Sequence, residues 1–231
     1  MENISMSTAT PVTADESSPT RGCWGILRPI DIVLLVILAL AAGLGTWSLA
    51  KRVPPAVTYG THLDVYFSAD CGRVLANMRT RTDSDHHRTN VHPLFSIIMH
   101  PVYRTVALLA GANSETEPES PKFITASYIL SALGAAIAMA LFFVILRVIG
   151  TPLPDSAVYC ALAAFRGFAL FWFPVPETYA WGAISILFAL LVSALGCLRP
   201  VRTIWYALAS LGTFAITTTN WSVGLLATWT R

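Results

Sequence analysis

The sequence predicts an all-α fold: a polytopic transmembrane helix bundle of about five spans. Three observations predict it. Apolar residues make up 55% of the chain and charged residues 12%, against roughly 25% charged in soluble domains. Four runs, 32–50, 123–146, 178–198 and 203–220, carry no charge, and each is close to the ~20 residues that cross a bilayer core as helix. No run alternates with period two, which argues against a β-barrel. The net charge of +2 gives no pull towards nucleic acid.

Residues 1–29 are Ser/Thr-rich at the start and have no apolar period, which predicts a disordered cytoplasmic tail. The first apolar run is longer than the 7–15 residues of a signal-peptide core, so it is expected to stay as span one. Residues 30–231 then form the transmembrane domain, with a long extracytoplasmic loop at 51–122. A fifth apolar run, 156–173, is interrupted only by Arg166. The run 94–112 holds His100, Pro101 and Arg104 near its middle. A central Arg costs ~2.5–3.5 kcal/mol on insertion, which favours an interfacial or re-entrant helix over a span.

Charge tests that topology. With the N-terminus inside and 94–112 not crossing, Arg147, Arg199 and Arg202 all fall on the cytoplasmic side, beside Arg28, as the positive-inside rule asks. Lys51 and Arg52 fall outside, at the start of a long loop that weighs little in the rule. Three polar clusters then share the outer face: the loop, the turn 174–179 and the segment 217–221. Polar groups gathered at one end of a bundle predict a site there.

Within the loop, 67–78 reads as a short helix with Asp70 and Arg73 on one face at i, i+3. Pro93 suits the first turn of the next helix, with His92 at its N-terminus. Each residue has a plainer reading beside the functional one. Asp70–Arg73 is also what a surface pair looks like, and Asp64 is a rival base. Glu177 suits a helix N-terminus, and Asn220 suits an interhelical hydrogen bond. Arg166 inside a span marks function or a packing partner. The spacing of His86, His87, His92 and His100 with Asp83 and Asp85 fits no standard zinc pattern, so neither metal nor cofactor is expected. Cys23, Cys71, Cys160 and Cys197 form no CxxC pair and predict no disulfide framework.

The order Asp70-Cys71-Gly72-Arg73, then His92-Pro93-Leu94, then Pro176-Glu177-Thr178-Tyr179 and Thr218-Thr219-Asn220-Trp221 resembles the GT-C superfamily of membrane glycosyltransferases. It is closest to little-characterised bacterial members. The chain has Cys71 where that superfamily often has a Glu, and one proline after the basic residue where it often has two; the acceptor class stays open. The resemblance implies transfer of a sugar from a polyprenyl-phosphate donor to an acceptor outside a bacterial inner or plasma membrane. It implies Asp70 as base and Arg73, His92 and Arg88 on the phosphate, with Glu177 and Asn220 beside the substrate. Members of the superfamily are longer, so the resemblance implies the N-terminal part of such an enzyme. The alternative is a non-catalytic, truncated or split subunit that works with a second membrane subunit. A transporter fits less well, because midplane sites need ionisable residues inside the spans.

Overall fold

A computed structural model of the chain describes residues 27–54, 57, 70–79, 90–112 and 121–229. Every regular element among them is helical. In chain order they are α1 (Pro29–Ala50), α2 (Cys71–Arg79), α3 (Phe95–Leu109), α4 (Pro121–Val148), α5 (Leu153–Ala164), α6 (Gly167–Trp172), α7 (Tyr179–Leu198), α8 (Thr203–Ile216), a 3-10 turn (Thr218–Asn220) and α9 (Trp221–Trp229). Three of these, α1, α4 and α7, are long and apolar enough to cross a membrane. Most of the expected tail and much of the 51–122 loop, including Asp64, Asp83, Asp85, His86, His87 and Arg88, lie outside the described residues.

Pro29 opens α1 at a position where a missing N–H costs nothing and φ is already helical. Asp31 in its first turn accepts the Arg28 backbone N–H at 2.7 Å. Ile32, Ile37, Leu40 and Leu44 on this helix are more than half exposed. An apolar outward stripe of that kind suits lipid and not water.

Helices α1 and α4 pack antiparallel. At one end Arg147 Nε donates to Asp31 Oδ1 at 3.0 Å, in an ion pair shielded from solvent. At the other end the rings of Trp47 and Tyr128 meet edge-on at 6.2 Å. Between them Gly43 lets the backbones close, since a Cβ there would stand 3.2 Å from Ala132 O. The end of α1 and the start of α4 therefore lie at the same end of the bundle, and α3 packs against α4 there. It caps the bundle there. Tyr103 Oη donates to Phe123 O at 3.1 Å and the two rings stack. His100 Nδ1 lies 3.1 Å from Met78 O, tying α3 to α2. Val74, Met78, Phe95, Met99, Tyr103, Phe123 and Leu130 form the buried core of this cap. Lys51, at the same end, places its ammonium over the Trp47 ring, an arrangement typical of a cation and an aromatic at a membrane boundary.

Four local expectations change. The run 156–173 is not one helix: it breaks at Phe165–Arg166, where Arg166 is extended and Gly167, a poor helix former, begins α6. Arg166 therefore sits at a break and not inside a helix. The run 203–220 stays helical only to Ile216, and Thr217 is extended. Three successive Thr residues with Asn220 lower helix propensity there. Pro93 stands before α3, whose N-cap is Leu94, because the 90–94 strip is drawn into backbone bonds with 215–218. Asp70 precedes α2, and its carbonyl accepts the first helical bond, from Val74 N at 2.9 Å.

Helix α9 folds back along α8 at very short range. A Cβ on Gly224 would stand 2.7 Å from Ser210 Cα and collide with Thr213 Oγ1. Gly224→Ala is expected to cost about 1–3 kcal/mol by overpacking. Thermal unfolding in detergent checks it; Gly212→Ala, in open space, is the comparison.

Candidate functional site

The three polar clusters expected to share one end do meet there. The loop side contributes Asp70. Its backbone N–H donates to Glu177 Oε1 at 2.5 Å, and its Oδ2 accepts from Arg73 Nη2 at 2.7 Å. Glu177 comes from the turn between α6 and α7, and its Oε2 accepts the Thr178 N–H at 3.0 Å. Both oxygens of this buried carboxylate are thus engaged by backbone amides, which is the geometry of a group holding Asp70 in place. Below them Val53, Val57, Cys71, Val175 and Trp172 form a small apolar cluster that fixes the start of α2 against the turn.

The third cluster holds His92. Its Nδ1 lies 2.9 Å from Ile216 O and 3.2 Å from Thr217 Oγ1. A carbonyl only accepts, so Nδ1 carries the proton in the neutral ring. The ring is further braced by two backbone bonds between neighbouring strips, Leu94 N to Ala215 O at 3.0 Å and Thr218 N to Val91 O at 2.9 Å. Asn220 Nδ2 donates to Gly182 O at 3.4 Å, across to α7. It therefore makes the interhelical bond that the sequence suggested, while its side also faces the cavity.

Asp70, Arg73, His92, Glu177 and Asn220, five of the residues expected at a site, line one cavity of about 1180 Å³. Asp70, Arg73, His92, Glu177, Thr217 and Asn220 form its polar head. The remainder is a long apolar wall: Leu38, Ala42 and Leu49 of α1, Ala135, Met139 and Phe142 of α4, Ile186 and Leu187 of α7. Small residues, Ala41 and Gly45 of α1 and Ala135 and Ala138 of α4, widen the wall. The rings of Trp172 and Tyr179 lie 4.7 Å apart, with Phe168 edge-on to Tyr179 and Phe173, and Phe168, Phe173 and Tyr179 line the cavity. Sequence reasoning did not anticipate the apolar wall or the aromatic group. The small residues were a readable signal, but in a membrane helix they equally mark close helix packing.

Two further features bear on chemistry. Arg73 Nε is buried and has no hydrogen-bond partner among the described residues, so its guanidinium keeps an unused donor beside Asp70. Arg166 also lines the cavity, from the break between α5 and α6. Among the described residues no three His, Cys, Asp or Glu side chains gather as a metal site.

Burial raises the Glu177 carboxyl above its ordinary value near 4.5, against the lowering effect of the Thr178 and Asp70 amides; the Asp70 charge adds to the rise. The folded state therefore holds this proton more tightly than the unfolded chain does. Stability from this group is full below the ordinary value and is lost as pH rises through the raised one. Glu177→Gln is expected to flatten the fall of the Tm–pH curve that sets in above about pH 4.5. Melting curves of both proteins across that range check it. Burial, with the Glu177 charge, also pushes the Cys71 thiol up to about 12, which makes it an inert packing group and not a nucleophile.

No family model, no curated protein and no solved structure matches the chain.

Proposed function

We propose that this chain is a membrane glycosyltransferase of the GT-C kind, moving a sugar from a polyprenyl-phosphate donor to an acceptor on the extracytoplasmic face. The observation that carries the reading is the cavity's division into a polar, charged head and a long apolar wall. A lipid-linked sugar has the same division. In this reading the chain crosses the membrane five times: α1, α4, the broken pair α5–α6, α7 and α8. The site end faces outwards, and Arg28, Arg147, Arg199 and Arg202 lie inside.

The chemistry is a single displacement at the anomeric carbon. An acceptor hydroxyl gives its proton to Asp70 as its oxygen bonds to that carbon. The bond from the carbon to the phosphate oxygen breaks, and polyprenyl phosphate leaves with the electron pair. A lipid phosphate is a good leaving group, so one carboxylate suffices, unlike glycoside hydrolysis with its two. Arg73, and His92 when its Nε2 also carries a proton, stabilise the charge that develops on the departing oxygen. Glu177 keeps Asp70 in position, and Asn220 borders the sugar.

A photoreactive polyprenyl-phosphate sugar with its diazirine on the prenyl chain tests the reading. Labelled peptides from the cavity side of α1, α4 and α7, competed by unlabelled donor, are expected. Labelling confined to the outward stripe of α1, or insensitive to competition, would remove the donor from the cavity.

A further inference from the structure

We infer that Arg166 is the residue that recognises the phosphate of the lipid donor in this cavity; the inference rests on the donor reading above. It starts from the charge of the polar head. Asp70 and Arg73 pair at 2.7 Å and cancel. Glu177 adds a carboxyl and no cation. His92, with Nδ1 on the Ile216 carbonyl, carries charge only when its other nitrogen is also protonated. Counted over the described residues, the head taken alone is neutral to negative, so it offers an anionic diester no net attraction of its own.

Among the described residues, the other formal cation lining the cavity is Arg166. It takes part in neither ion pair formed between described residues, Asp70–Arg73 and Asp31–Arg147. Its position is also suitable. Helix α6, six residues or about 9 Å long, separates it from the turn that carries Glu177. The break that frees it is itself part of the cavity: residues 163–170 all line it, and Phe165 and Phe168 there are half or more exposed. This stretch is therefore the lip between cavity and surroundings, where a lipid entering sideways from the bilayer would pass. A planar guanidinium at that lip offers paired donors to a phosphate. The donor then lies with its sugar at Asp70 and Glu177, its phosphate between Arg166 and the Arg73–His92 side of the head, and its prenyl chain along the α1–α4–α7 wall.

The test is equilibrium binding of radiolabelled polyprenyl phosphate and of the uncharged polyprenol of equal length. The full chain is held in phosphatidylcholine nanodiscs, with empty discs subtracted. Wild type is expected to prefer the phosphate by on the order of tenfold or more. Arg166→Gln and Arg166→Met are expected to bring the two ligands to within about threefold of each other while polyprenol binding stays unchanged. Unchanged polyprenol binding shows that each variant is folded, and Arg166→Lys should keep most of the preference. A preference retained in the Gln or Met variant would overturn the assignment and leave the donor reading standing. So would a preference lost in Arg73→Gln but kept in the Arg166 variants. Wild type that binds neither lipid would overturn the donor reading and this inference with it.

Discussion

Asp70→Asn is expected to lower sugar transfer by about 10²–10⁴-fold, the usual worth of a positioned general base, with membrane levels of the chain unchanged. The substitution is nearly isosteric. It leaves the Asp70 main-chain N–H on Glu177 Oε1 and still presents an oxygen to Arg73. What disappears is basicity: an amide cannot take the acceptor's proton. Asp70→Glu separates position from charge, because it keeps the carboxylate and moves it by one methylene; it should retain part of the rate. Initial rates with equal amounts of inserted protein check the series. A rate unchanged in Asp70→Asn would pass the role of base to another carboxylate.

The second large effect lies at the opposite end of the bundle. Asp31→Ala is expected to destabilise the protein by about 3–5 kcal/mol, the cost of leaving a buried partner charge uncompensated. Asp31 is fully buried, and Arg147 meets it at 3.0 Å and also donates to Thr151 O. The same carboxylate accepts the Arg28 N–H, so its loss frees the start of α1 as well as the end of α4. Arg147→Met alone should cost a similar amount. The double variant Asp31→Ala, Arg147→Met should cost much less than the sum, since no charge is then stranded. Thermal unfolding of all four proteins in one detergent measures the coupling. Additive losses would mean that the pair is not buried as described.

The long helices were legible because their residues carry one message: apolar for about twenty positions, with no competing charge. Runs 32–50, 123–146 and 178–198 became α1, α4 and α7 with ends extended or moved by only a few residues. The run 203–220 was legible only to Ile216, since hydropathy scores Thr and Trp without registering that three Thr residues and an Asn prefer to bond their own backbone. Arg166 was seen as an anomaly within an apolar run. Hydropathy does not say whether such a charge is packed, snorkelling or released at a break; the tertiary cavity decides that.

At the site, the meeting of Asp70, Arg73, His92, Glu177 and Asn220 along one cavity was foreseeable from the expected order of the helices, which returns those segments to one end. The partners were not. Nothing in Glu177 or Asp70 announces that a carboxylate 107 residues away accepts the Asp70 amide hydrogen, or that Ile216 O holds the His92 ring. Such bonds depend on tertiary placement of backbone atoms, which every residue type shares. The apolar wall was equally silent, since Ala and Gly in a membrane helix write close packing and open space in the same letters.

The most direct test of the central claim is transfer itself, measured in membranes containing the full chain. Radiolabelled sugar is supplied either on a polyprenyl phosphate or as a nucleotide sugar, with the prenyl carrier and its synthase absent. Transfer to an endogenous acceptor from the lipid donor alone, lost in Asp70→Asn, is the predicted result. Transfer from the nucleotide sugar alone, or from neither donor with the chain inserted and the lipid donor present, would contradict the account.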